Sequence, residues 1–412
     1  MAKASSRLAP GAMRLHSTAA LVLGVILITQ PVGASDRFRV LHSFKGGNDG
    51  AFSEAALISD AAGNLYGTTN GGGGKGKCSL YCGTAFRLAP GGTETVLHSF
   101  AGGDKDGSNP RGALIMDAMG NLYGTTCYGG PSDYGTVFKL TANGTETVLY
   151  AFGAQTNDGA GSQAGLLADK YGNLYGTTWG GGTYGSGTVF KLSASGTETV
   201  LYSFTGGNDG GNPDGQLIED TAGNLYSTTQ YGGKFANCPV TGCGTVFRLA
   251  PDGVETVLHA FAGGTNDGAT PEAGLLADTA GNLYSTTWGG GAHGSGTVFK
   301  VSPSGTESVL YSFTGGSGGG YPFAEVIIDS TGNIYGTTGF GGKTTGCPYS
   351  AGCGVVFKLS ATGTESALHS FAGRKDGDVP YAGLMKDHDG HIVGTTTGGD
   401  HNILGGVFRL EE

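Results

Sequence analysis

One seven-residue segment recurs seven times along this chain and decides most of what it can fold into. The segment Gly63-Asn64-Leu65-Tyr66-Gly67-Thr68-Thr69 returns with small changes at Gly120, Gly172, Gly223, Gly281 and Gly332, and in worn form at Gly390. The copies are spaced by 57, 52, 51, 58, 51 and 58 residues. Self-similarity at a period of this order marks a solenoid, a propeller or an array, each built from one unit that cannot bury its apolar face alone.

Three further segments recur beside each copy: an apolar stretch ending in Asp (Ala56 to Asp60), a third of the type Gly187 to Leu192, and a fourth of the type Glu198 to Phe204. All are short, rich in Val, Ile, Thr, Tyr and Phe, and bounded by Gly, Pro, Asn and Asp, which is the signature of strands. Tight turns join the first to the second (Asp60 to Asn64) and the third to the fourth (Ser195-Gly196-Thr197). Each repeat is therefore expected to be a four-stranded antiparallel meander. Radial packing of seven such units protects the sheet edges, so the expected fold is all-β, a seven-bladed β-propeller. The chain opens on a fourth-type strand (Phe38 to Phe44) and ends on a third-type strand (Gly405 to Leu410), so the N-terminal strand is expected to complete the last blade and close the ring.

Glycine is the compositional outlier, 83 of 412 residues, against about 7% in ordinary chains. There is no Gly-X-Y period, and 38% of residues are hydrophobic, which excludes collagen and charge-driven disorder. Residues 1–34 read as a signal peptide: Lys3, Arg7 and Arg14, the apolar run Ala19 to Thr29, then small residues to Ala34. Eleven apolar residues are too few to span a bilayer, which takes about 20. Residues 35–412 are expected to form one propeller domain, exported to the periplasm or beyond, monomeric and without a membrane span. Removing three cations takes the net charge from −10 to −13, which disfavours nucleic acid and anionic membranes as partners.

The repeated GNLYGTT, GTVFKL and GTETVLYSF segments resemble the GloVer tandem-repeat (choice-of-anchor) family of exported bacterial proteins across residues 36–412, and more loosely NHL-type propellers. The resemblance implies a repeat fold and export; it implies no activity.

In an up-and-down blade the two-to-three and four-to-one loops share one face, and here they are the long, variable, Gly-rich ones. Loops on a rigid scaffold are where binding residues concentrate. Trp179 and Trp288 follow the Thr-Thr of blades 3 and 5, with Tyr128, Tyr184, Tyr231 and Phe340 in the same loops. One position at the start of the innermost strands changes blade by blade, as Glu54, Arg111, Gln163, Asp214, Glu272, Phe323 and Tyr381, and is expected to ring the channel mouth. The leading expectation is a non-catalytic scaffold binding a glycan or protein ligand through these residues. The alternatives are a lyase- or lactonase-like enzyme using Glu54 or Glu272 with His293 or His401 and a divalent cation, and a structural envelope or matrix protein.

The pairs Cys78/Cys82, Cys238/Cys243 and Cys347/Cys353 accompany the three longest spacings and are expected to form local disulfides, leaving Cys127 over. His42, His98, His259 and His369 alternate with Tyr150, Tyr202 and Tyr311 at one fourth-strand position, which marks a structural site. The Asp-Gly pairs of the four-to-one loops, such as Asp49-Gly50 and Asp209-Gly210, read as turns rather than as calcium ligands.

Overall fold

The structure is a computed structural model that describes residues 37–74, 82–234, 237–238, 241–399 and 403–412. The expected signal peptide, Cys78 and His401 lie outside the described residues. In blade 1 the strands Ile58–Ser59, Leu65–Thr69, Thr84–Leu88 and Glu94–Ser99 pair antiparallel in sequence order. Blades 2 to 6 repeat this order, with second strands at Leu122–Thr126, Leu174–Thr178, Leu225–Thr229, Leu283–Thr287 and Ile334–Thr338. Blade 7 takes Met385–Lys386, Ile392–Thr396 and Gly406–Leu410 from the C-terminus and Phe38–Ser43 from the N-terminus. Phe38 pairs with Leu410 and Ser43 with Gly406, so the protein is a seven-bladed β-propeller whose ring the first strand closes. No described helix is long and apolar enough to cross a membrane.

The blades pack through one repeated contact. The Phe ending the fourth strand of each blade meets the third-strand Phe of the next, edge to face, from Phe44 on Phe86 around to Phe371 on Phe408. The seven centroid separations run from 5.0 Å (Phe100–Phe138) to 5.3 Å (Phe371–Phe408). Each such pair stabilises by about 0.5–1.5 kcal/mol beyond the area it buries. Seven apolar clusters form, one per joint, each built around such a Phe pair or one member of it with Leu, Val or Ile beside it. The contact also explains why the GNLYGTT segment keeps a small residue at its centre. A Cβ on Gly67 would lie 2.8 Å from the Phe86 ring and 2.6 Å from Leu57. Ser227 and Ser285, the larger residues at this position, fit by donating their hydroxyls to the carbonyls of Gly215 and Gly274. A register slip between third and fourth strands, such as that at Val189/Phe190, recurs in every blade and adds the local twist that a blade needs.

The outer rim carries a second repeated joint. A fourth-strand His or Tyr bonds the Asp of its own four-to-one loop, as His42 Nε2 to Asp49 (3.1 Å) and Tyr150 OH to Asp158 (2.7 Å). That Asp also caps the loop, accepting the Lys45 and Gly153 amides in these two cases. A Glu opening the next blade's fourth strand packs against the pair. Burial, and then the neighbouring Asp charge, pushes Glu94, Glu146, Glu198, Glu255 and Glu307 each up to about 7. At the closing joint the N-terminal strand has no such Glu, and Phe38 stacks on His369 at 3.7 Å instead. On the opposite face the turn carboxylates behave in the contrary way. Slight burial opposes the shift, but hydrogen bonds from Asn64 and Tyr66 hold Asp60 below its usual value, and Asp117, Asp169, Asp220 and Asp278 repeat the arrangement.

These two sets act at different pH. The rim glutamates hold protons more tightly folded than unfolded, so their contribution is complete below about pH 4.5 and is lost as pH rises through about 7. The turn aspartates contribute above about pH 3.8 and lose that contribution on acidification. Thermal stability at constant ionic strength is expected to peak near about pH 4–5 and to fall toward pH 8. Glu146→Gln with Glu307→Gln is expected to flatten that fall. A melting temperature that rises steadily from pH 5 to 8 would refute this assignment.

Candidate functional site

The loop face is stitched together by seven residues that enter the innermost strands with positive φ: Phe52, Asn109, Gly161, Asn212, Thr270, Tyr321 and Val379, with φ from 46° to 66°. Each turns its two backbone groups toward different blades. The Thr270 amide donates to Cys243 O of blade 4 (2.7 Å), and its carbonyl accepts from the Trp288 amide of blade 5 (3.0 Å). Phe52 likewise reaches Leu404 O of blade 7 and the Asn70 amide of blade 1. Left-handed backbone costs most side chains about 1–2 kcal/mol, and β-branched ones suffer most, whereas Gly and Asn adopt it readily. Only three of the seven are Gly or Asn. Phe52, Thr270, Tyr321 and Val379 keep their side chains over the loop face against that cost.

Two residues further along, Glu54, Arg111, Gln163, Asp214, Glu272, Phe323 and Tyr381 all line the central channel. Arg111 Nε pairs with Glu54 at 3.2 Å, and Arg111 Nη1 donates to Gln163 Oε1 at 2.8 Å. Glu272 accepts from Gln230 Nε2 (2.8 Å) and from Tyr381 OH (3.1 Å), and the Tyr381 ring stacks on Phe323 at 4.3 Å. Burial raises Glu54 despite the opposing Arg111 charge, and burial raises Glu272 as well. Asp214 is pushed up to about 7, by burial first and then by the Glu272 charge. Below this ring the next inward position is small in five blades, as at Ala56 and Gly383, but Gln216 and Glu325 occupy it in blades 4 and 6. A Cβ on Gly274 would lie 2.8 Å from Glu325 Oε2, and one on Gly165 would lie 2.8 Å from Gln216 Oε1. These two side chains fill the channel and leave about 100 Å³, room for a few waters. Neither side chain announces itself in the sequence as channel-filling, although each departs visibly from a small-residue position.

The larger space is off the axis. A cavity of about 920 Å³ opens over blades 7, 1, 2 and 3. Phe52, Val379, Tyr128, Tyr134 and Trp179 wall it, Asn70 and Asn109 supply amides, and Glu54, Arg111, Gln163 and Tyr381 border it on the channel side. Trp179 is 40% exposed, yet its position is set: its indole N–H donates to Gln230 Oε1 (3.3 Å) and its carbonyl accepts from Asn212 Nδ2 (2.8 Å). Asn70 is 4% exposed, and its Oδ1 has no hydrogen-bond partner among the described residues.

The expected site residues thus divide. Trp179, Tyr128, Arg111, Gln163 and Tyr381 meet at the cavity, with Glu54. Asp214 and Glu272 belong to the channel. Trp288 packs on Tyr321 (centroids 5.1 Å) over blades 5 and 6, Tyr184 is exposed on blade 3, and neither Tyr231 nor the exposed His293 lines either space. Phe52, Asn109, Tyr134 and Val379 went unnoticed in the sequence, because nothing in the repeat announces which loop residues fold inward. Cys127 borders the cavity, but its thiol is buried and pushed up to about 12, so it is a poor nucleophile. Disulfides join Cys238 to Cys243 and Cys347 to Cys353, with Cα separations of 5.4 and 5.6 Å, and Cys82 is disulfide-bonded. Three rim groups, beginning at His42, His98 and His259, bring one His, one Asp and one Glu ligand atom within 4.8 Å of each other. The same joint forms with Tyr in blades 2 and 3, which identifies it as a blade contact.

The sequence model of the Gloeobacter/Verrucomicrobia repeat matches residues 18–241, 153–349 and 235–412. No curated protein sequence matches the chain. Among solved structures, the extracellular domain of a one-component system protein from B. thetaiotaomicron aligns with TM-score 0.53 at 10% identity, over 90% of this chain and 39% of that one. A gluconolactonase-type protein aligns with TM-score 0.40 at 13% identity, over 73% of this chain and 88% of that one. A luciferin-regenerating enzyme aligns with TM-score 0.40 at 14% identity, over 73% and 87%. Likeness at these levels concerns the fold alone.

Relieving the backbone cost at the cavity wall is expected to stabilise the protein. Val379→Asn should raise the unfolding free energy by about 1 kcal/mol, read as a higher urea midpoint at unchanged slope. A lower midpoint would show that Val379 is held there by packing rather than against strain.

Proposed function

The chain belongs to the Gloeobacter/Verrucomicrobia repeat family, and we propose that it is an exported, non-catalytic binding scaffold that takes a ligand on its loop face. Residues 1–34 would be the signal peptide and 35–412 one propeller domain. The observation that carries the reading is the off-axis cavity: a preformed space of about 920 Å³ with exposed aromatic walls and a few fixed polar groups, on the only face whose loops vary between blades. The retention of Phe52 and Val379 in left-handed backbone supports it, since a purely structural position would favour Gly or Asn. Disulfides in the loops agree with export to an oxidising compartment.

The catalytic alternative draws its support from carboxyls raised by burial, Glu54 and Glu272 among them. A general acid or base needs a partner within hydrogen-bond reach of a shared reacting atom. Glu54 is held by Arg111, and His293 is exposed on blade 5 outside the cavity. Binding is therefore the reading we adopt.

The test is a screen of glycans, small metabolites and extracellular proteins against the wild type and Trp179→Ala. At least one ligand is expected to bind the wild type and to weaken by about tenfold or more on the variant. Equal binding by both proteins would contradict a loop-face site, and turnover of lactone or ester substrates by the wild type alone would favour the enzyme.

A further inference from the structure

We infer that the off-axis cavity takes a neutral saccharide, the end or a short internal stretch of an uncharged glycan, rather than an ion, an anionic sugar or a folded protein. The inference rests on the loop-face reading above and narrows it to one ligand chemistry.

Size sets the first limit. About 920 Å³ is far more than a metal ion or a phosphate occupies and too little for a folded partner to enter, but it is in the range of pockets that bury a small organic molecule. Charge sets the second. Among the described residues Arg111 is the one cation at the cavity, and it is occupied by Glu54 and Gln163, so none of them offers a free positive group to a carboxylate or sulfate. The carboxyls of Asp214 and Glu272 stand behind it and offer an anion no attraction. A cation gains little, because Arg111 already pairs with Glu54 and Asp133 is tied to the Gly129 amide.

What remains free is neutral and of two kinds. Tyr128, Tyr134 and Trp179 are exposed by 55%, 52% and 40% and offer ring faces, with Trp179 fixed by Gln230. Asn70 Oδ1 is a buried acceptor without a donor among the described residues, and Asn70 and Asn109 both line the cavity. A ligand that fits both must have an apolar face to lie on rings and hydroxyl groups to donate at its edge. A pyranose has its axial C–H groups on one face and its hydroxyls around the rim. The unmet Asn70 acceptor is costly in the empty state and is satisfied by one sugar hydroxyl.

The protein has two tryptophans, so Trp288→Phe leaves Trp179 as the sole indole reporter. Its fluorescence is titrated with neutral oligosaccharides of glucose, galactose and mannose, and in parallel with uronate-bearing and sulfated counterparts. At least one neutral series is expected to give a saturable change. Asn70→Ala in the same background should weaken it by about tenfold, with a circular-dichroism melt no lower than that of its parent to show that the fold is intact. Saturable binding of the acidic sugars without the neutral ones overturns the neutral class while leaving the loop-face site standing. Neutral binding that ignores Asn70→Ala overturns the cavity as its location. A flat response to every sugar overturns the inference, and the loop-face reading falls with it only if the wider screen is also empty.

Discussion

Everything in this molecule depends on one aromatic contact made seven times. An edge-to-face Phe pair joins each blade to the next, and the ring closes because the first strand pairs with Gly406–Leu410 and Phe44, just beyond it, meets Phe86 of blade 1. The contact dictates the repeat. It requires a small residue at Gly67 and its equivalents, and it lies between the third and fourth strands' register slip and the next blade's core. A blade that lost its Phe would expose apolar surface on both neighbours, so the repeat is held nearly constant while other positions diverge.

That constancy leaves the loop face free to vary without cost to the scaffold. The stitches through Phe52, Thr270, Tyr321 and Val379 are made by their main-chain amides and carbonyls, so residue type can change there without losing these bonds. They can serve a site instead. The sevenfold symmetry of the backbone therefore carries an asymmetric surface: a cavity over blades 7 to 3, an aromatic contact of Trp288 and Tyr321 over blades 5 and 6, and a channel filled by Gln216 and Glu325. The axis, where a ring of changing residues draws attention first, is nearly full.

The fold was legible in the sequence because a strict repeat states its strands, turns and order seven times over, and because a fourth-type segment, Phe38 to Phe44, precedes the first full repeat. The ring at Glu54, Arg111 and their equivalents was legible for the same reason, as a position that diversifies within constancy. The cavity was not. Its walls depend on which way left-handed residues point and on side-chain ties such as Trp179 to Gln230, between residues 51 positions apart. The role of Glu94, Glu146, Glu198, Glu255 and Glu307 at the rim was also hidden, since each meets an Asp of the preceding blade's loop. Repeats disclose what is common to the blades and hide what lies between them.

Native-state hydrogen exchange of the free protein tests the claim that the seven Phe joints make one cooperative ring. The account predicts that the third-strand amides of all seven blades, including Gly406–Leu410 of the closing blade, exchange with a single common opening free energy, while loop amides exchange faster. A staircase of opening energies falling toward blade 7 or blade 1 would mean that the blades open one at a time from a weak seam, and would contradict it.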